Sequence, residues 1–108
     1  MISTHILDTH LGKPAADVEV KLMDATGQVL ATASTNNDGR VLVPDFGLDS
    51  IHAGDYCIEF ATKAYFDAKG LATFFPKAVI HFSILDAAQH YHIPLLISPF
   101  AYSTYRGS

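Results

Sequence analysis

Residues 17–34 read DVEVKLMDATGQVLATAS, and this stretch decides the fold. Val18, Val20 and Leu22 alternate with Asp17, Glu19 and Lys21. That two-residue period belongs to a strand with one buried and one wet face. Asp24-Ala25-Thr26-Gly27 has turn chemistry, an aspartate to hold backbone amides and a glycine for an unusual φ. Val29, Ala31 and Ala33 then alternate with Leu30, Thr32 and Ser34. Strand, turn and strand predict a hairpin and point to an all-β chain.

Working outward, turn signals recur at short spacing: Gly12-Lys13-Pro14, Asn36-Asn37-Asp38-Gly39, Pro44-Asp45-Phe46-Gly47 and Ala53-Gly54-Asp55. Strand-like runs lie between and beyond them. Tyr56, Ile58 and Phe60 alternate with Cys57, Glu59 and Ala61, and residues 79–84 and 91–97 are rich in β-branched and aromatic side chains. Thr62 to Ala72 breaks the pattern. It predicts about two turns of helix, capped by Thr62 and stopped at Gly70. The expectation is a single domain over residues 1–108, a β-sandwich of seven or eight strands with one short α-helix. Pro94 inside its run predicts an edge, a bulge or a strand end there, because proline cannot donate to a ladder.

Composition narrows the function classes. Charged residues are 17% of the chain, hydrophobic ones 49%, and the net charge is −4, so the surface is poor in charge and self-association is expected. The seven Lys and Arg form no cluster, which argues against nucleic acid as a partner. Cys57 is the one cysteine and reads as a small buried hydrophobe in its strand, with no disulfide framework possible within the chain. No basic-then-apolar leader opens the sequence and no apolar run is long enough for a membrane helix, so a cytoplasmic protein without membrane contact is expected.

No phosphate-binding glycine loop, CxxC, HExxH or Gly-x-Ser-x-Gly motif is present. Residues with chemistry stand out singly. His90 and His92 share a strand face and can chelate zinc with His5 as third ligand; the plainer reading is one functional and one structural histidine. His5, in Ser3-Thr4-His5-Ile6-Leu7-Asp8, shares a face with Leu7 opposite Ile6 and Asp8. Arg40 follows a hairpin-type turn, either as an exposed arginine or as a fixed guanidinium for a planar anion. Asp8 and Asp86 read equally as turn carboxylates or as acid–base groups.

Residues 90–108, HYHIPLLISPFAYSTYRGS, crowd two histidines, three tyrosines and an arginine into an apolar stretch that must be tied down. This stretch closely resembles the C-terminal motif of 5-hydroxyisourate hydrolases, the transthyretin-related proteins of purine catabolism. Thr4-His5-Ile6-Leu7-Asp8, Gly12-Lys13-Pro14-Ala15, Thr35-Asn36-Asn37-Asp38-Gly39-Arg40, Tyr65-Phe66, Gly70 and Phe74-Phe75-Pro76 agree with the same family, so the resemblance spans essentially the whole chain.

The resemblance implies a transthyretin-like sandwich of two four-stranded sheets with one short α-helix. It implies a homotetramer with sites at the mouths of a channel, and a reaction that opens the six-membered ring of 5-hydroxyisourate by hydrolysing a cyclic amide. The product is 2-oxo-4-hydroxy-4-carboxy-5-ureidoimidazoline. His5, Arg40 and His92 match the family's site positions, and Tyr105-Arg106-Gly107-Ser108 matches its closing motif. On that reading His5 and His92 hold and deprotonate a water, and Arg40 binds the substrate and the developing oxyanion. Ser108, with its hydroxyl and a chain-terminal carboxylate, joins the catalytic set. Tyr105 and Arg106 contribute to substrate binding. No metal and no organic cofactor is implied. Two other readings stand beside the enzyme. One is a transthyretin-like carrier holding an aromatic ligand in the tetramer channel, and the other is a sandwich domain that mediates protein contacts.

Overall fold

The computed structural model describes Met1 to Ser108. Nine strands run in the order β1 (Ile2–Asp8), β2 (Lys13–Pro14), β3 (Glu19–Asp24), β4 (Val29–Ser34), β5 (Arg40–Val41), β6 (Gly54–Phe60), β7 (Ala78–Ile84), β8 (Tyr91–Ser98) and β9 (Ala101–Thr104). A 3₁₀ turn, Val43–Phe46, follows β5, and one helix, α1 (Thr62–Asp67), separates β6 from β7. The hairpin of residues 17–34 forms as its alternation predicts. Val20 faces Ala33, Leu22 faces Ala31, and Asp24 accepts the amides of Thr26 and Gln28 to close the turn.

Two sheets pack face to face. One has the order β4-β3-β6-β7, antiparallel throughout. The other runs β1-β8-β9, with the two short strands β2 and β5 sharing the far edge of β1. At any level this second sheet is therefore four strands wide. Val18, Val20, Leu22, Ile58 and Phe60 from one side meet Ile2, Ile6, Leu95 and Ile97 from the other in one continuous core. At roughly 1.5–3 kcal/mol for each large aliphatic or aromatic side chain buried, this interior is the main term holding the sheets together.

The helix is shorter than the sequence predicts and begins differently. Thr62 lies inside its first turn and is buried; Ala61 holds the cap position and no side chain caps the end. The chain leaves the helix at Ala68, and the left-handed Gly70 lies two residues beyond. Tertiary packing fixes the element instead of a cap: Phe66 is fully buried, and the Tyr65 hydroxyl donates to Asp8 Oδ2 at 2.7 Å.

Of the edge, bulge or strand end expected at Pro94, the structure rules out the edge and the strand end. The proline lies in the middle of β8, which has β1 on one side and β9 on the other. The β8–β9 ladder ends at Leu95↔Thr104 and returns only as the single bridge His92↔Gly107, so Pro94 lies opposite the gap. Its carbonyl still accepts the Thr104 hydroxyl at 2.7 Å. A central strand tolerates proline here because the missing N–H falls where no ladder partner is required.

Candidate active site

The register of β1 places the site. β1 and β8 are parallel neighbours, with Ser3 beside His92 and His5 beside Pro94. On its other side β1 pairs with β5, with His5 beside Arg40. Paired residues project to the same face of a sheet. Arg40, His5, Ser3 and His92 therefore all leave the outer face, opposite the core. Thr4, Ile6 and Asp8 point inward and are fully buried, as the alternation around His5 predicts.

Arg40 is aimed by its turn. The Asn36 side chain accepts the amides of Asp38 at 2.9 Å and Arg40 at 3.0 Å, and Gly39 takes φ +74°. The turn is tied to β1 by the Ile6 amide, which donates to the Gly39 carbonyl at 2.7 Å. A β-carbon on residue 39 would fall 2.4 Å from the Ile6 carbonyl oxygen, so both the φ and the close approach require glycine. The chain's three ion pairs are Lys21–Glu19, Lys63–Asp67 and Lys77–Glu59. Arg40 is in none of them, which leaves a half-buried guanidinium free for an anionic or oxygen-rich ligand.

That charge acts on both histidines. Burial, then the Arg40 guanidinium, lowers His5 below its ordinary pKa, with Asp38 opposing. Burial again leads in lowering His92, followed by Arg40, His90 and His5. Neutral imidazoles next to a cation can accept a proton, the property required to activate a water.

Residues 105–108 complete the site from the far side. Gly107 donates its amide to the His92 carbonyl at 2.9 Å and lies across the imidazole. A cleft of about 220 Å³ opens between Arg40, His90, His92 and Ser108, floored by Ser3 and Thr4 and walled by Leu42 and Val43. His5 stands next to Arg40 just outside its lining. The two remaining residues of the predicted set line the adjoining hollow, which His92 also borders. Arg106 stacks its guanidinium 4.6 Å from the Tyr91 ring and donates to Gln89 Oε1 at 3.1 Å, and Tyr105 is 60% exposed. The hollow, of about 310 Å³, lies between β7 and β8 and is also lined by Ile80, His81 and Phe82.

The ambiguous carboxylates resolve into structural roles. Asp8 accepts the amides of His10 and Leu11 and the hydroxyl of Tyr65. Asp86 accepts the Ala88 amide in its turn. Cys57 is buried, and burial first, then Glu59, raises its thiol above the ordinary value, as expected of an inert small hydrophobe. One residue of the site was not singled out by sequence reasoning. The Ser3 hydroxyl lies 2.8 Å from His90 Nε2 and 2.8 Å from His92 Nδ1. Alternation already puts Ser3 on the face of His5; the parallel pairing that brings His92 across from it has no local signal.

The model of the HIUase/transthyretin family matches residues 2–107. The chain belongs to this family. A 5-hydroxyisourate hydrolase of Ralstonia nicotianae is 39% identical over 99% of this chain and 97% of its own length, and one from Salmonella typhimurium is 45% identical over 100% and 81%. Among solved structures, Klebsiella pneumoniae 5-hydroxyisourate hydrolase superimposes with a TM-score of 0.89 at 42% identity, over 99% of this chain and 98% of that one. Sea bream transthyretin, solved with thyroxine, also scores 0.89, at 32% identity over 98% and 93%. One backbone thus supports both a 5-hydroxyisourate hydrolase and a transthyretin that takes up thyroxine, and the difference has to lie in side chains.

Proposed function

We propose that this protein is a 5-hydroxyisourate hydrolase, opening the six-membered ring of its substrate to 2-oxo-4-hydroxy-4-carboxy-5-ureidoimidazoline in urate degradation. One observation carries the reading: two imidazoles, whose protonation burial and Arg40 disfavour, and an unpaired guanidinium stand together on one sheet face, at a cleft. The full-length likeness to hydrolases of that name supports the same conclusion.

His92 Nε2 is the base that takes a proton from water; its other ring nitrogen is already engaged by Ser3. His5, beside Arg40, helps to hold that water. Arg40 orients the oxygen-rich substrate and stabilises the oxyanion that forms at the attacked carbonyl. Ser108 contacts the substrate from the opposite wall of the cleft. Arg106 serves substrate binding by fixing residues 105–108 against Tyr91 and Gln89, and Tyr105 serves it from the adjoining hollow.

Residues 1–108 act as one domain, assembled as a homotetramer in the cytoplasm. The unpaired outer edges of β7 and β9 and the exposed Leu42, Leu85 and Phe100 support self-association. No helix is long and apolar enough to cross a membrane.

The test is an assay on 5-hydroxyisourate made in place by urate oxidase, followed as decay of its near-ultraviolet absorbance. Acceleration proportional to enzyme concentration is expected. No acceleration, combined with binding of an aromatic ligand, would favour the carrier reading that the sea bream protein represents.

A further inference from the structure

The Ser3 hydroxyl touches two imidazole nitrogens at once, 2.8 Å from each. A hydroxyl has one proton to give. With both rings neutral it therefore donates to one histidine and accepts from the other. If Ser3 donates to His90 Nε2, then His92 must carry its proton on Nδ1, and Nε2 holds a lone pair. If Ser3 donates to His92 Nδ1, both histidines carry their protons on Nε2. The two rings are locked into matching tautomers, and only the first arrangement leaves His92 a base toward the cleft.

We propose that Ser3 and His90 form a proton relay that sets the tautomer of His92 and carries protons between it and solvent. The inference rests on the hydrolase reading, since it assigns His92 Nε2 the base role. Ser3 is nearly buried, so no competing water has easy access to its hydroxyl. His90 is exposed and can exchange with bulk solvent through Nδ1. The histidine rings lie 6.3 Å apart between centroids, too far for a direct hydrogen bond between ring nitrogens and spanned by the single oxygen.

The proton count closes. As water attacks the carbonyl, its proton passes to His92 Nε2. The Nδ1 proton of His92 moves to Ser3 Oγ, and the original Ser3 proton moves to His90 Nε2. The positive charge now resides on His90, away from Arg40, and His90 releases its Nδ1 proton to solvent. When the ring nitrogen of the substrate leaves, His92 Nε2 gives up its proton to it. Ser3 returns a proton to His92 Nδ1, and His90 Nε2 returns one to Ser3. His90 takes a proton from solvent at Nδ1, and the resting state is restored. Neither step leaves a lasting cation on His92, whose surroundings disfavour one. The groups facing it are His5 on β1, Arg40 on β5 and His90 on the preceding loop.

Nitrogen NMR of the histidine-labelled protein, without substrate, reads the tautomers directly. The relay predicts Nδ1–H on both His90 and His92, the minor tautomer of a free histidine side chain. Mismatched tautomers, or Nε2–H on His92, would overturn it even in an active enzyme. Kinetics give the second arm. Because general acid–base steps contribute roughly 10²–10⁴-fold, Ser3→Ala should lower kcat by about tenfold or more with little change in KM. His90→Phe, at an exposed position outside the core, should lower kcat by about tenfold, with recovery as imidazole buffer is added. His90→Gln keeps a hydrogen-bonding group but cannot carry a proton, so it should not restore the rate. Full activity in His90→Gln would reduce His90 to a positioning residue and overturn the relay. If the wild type fails to hydrolyse 5-hydroxyisourate, the functional assignment falls, whatever the tautomers show.

Discussion

Gly107 lies so close over His92 that a β-carbon on it would fall 2.6 Å from the imidazole Cδ2 and 3.0 Å from Pro94 Cγ. Its φ is not in the left-handed region, so the demand for glycine is steric. Gly107→Ala must push the ring or lift residues 105–108. A misplacement of about 1 Å at a reacting group costs on the order of 10² in rate. Steady-state kinetics should show that loss in kcat, with an unchanged far-ultraviolet spectrum. A fully active Gly107→Ala enzyme would mean that the ring position does not matter.

Removing the guanidinium should be as damaging as removing the base. Loss of one oxyanion-stabilising donor costs roughly 10²–10³ in kcat, and loss of a general base roughly 10²–10⁴. Arg40→Ala and His92→Ala are each expected in that range, with melting temperatures close to the parent because both side chains leave the outer face. If folded Arg40→Ala turns over normally, the site lies elsewhere.

Acid pH separates the causes acting on the histidines. His5 and His92 are held below the ordinary value of about 6.5 by burial and then by Arg40. Both therefore take up their protons below that value, so kcat/KM should persist through pH 6.5 and fall only below it. Arg40→Gln removes the second cause and should move the acid limb upward. The sign for stability follows from the same shift. The unfolded chain binds these protons more tightly, so their contribution is intact above about 6.5 and is lost as pH falls toward the folded values. Urea titrations between neutral and mildly acidic pH measure it.

Tyr65→Phe tests the scaffold without touching the cleft. It removes the hydroxyl that donates to buried Asp8 Oδ2 at 2.7 Å. An unsatisfied buried acceptor costs about 1–3 kcal/mol. For a domain near 100 residues each kcal/mol lowers Tm by roughly 4–8 °C. Calorimetry should show that drop, while kcat at low temperature stays near the parent value.

The sequence announces strands more clearly than it announces neighbours. Alternation around Val20, Ile58 and His5 is a local property, and those faces appear as expected. The Asn36–Arg40 turn was equally legible, because Gly39 and Asn36 carry their own geometry. The helix start was misjudged because Thr62 has cap chemistry, yet packing of Tyr65 and Phe66 decides where the helix begins. Pro94 misled in the same way. Its strand is central, and the gap that admits it is a property of β9 ending at Thr104. Ser3 could be placed beside His5 from sequence, but its meeting with His90 and His92 depends on a parallel pairing across almost the whole chain. Arg106 has legible anion-binding chemistry, but its stacking on Tyr91 and its bond to Gln89 depend on where β8 lies and leave no local signal.

The pairing of β1 with β8 also governs how the protein comes into being. Ser3 and His92 are 89 residues apart, so a fragment long enough to set His5 beside Arg40 still lacks the base. Closing so long a loop sets a high contact order, which slows folding and delays the reward for each step. The docking of His92 and of residues 105–108 onto that face is therefore among the last features to acquire its arrangement. During synthesis the nascent chain remains chemically silent until residues 91–107 have emerged and zipped onto its first strand.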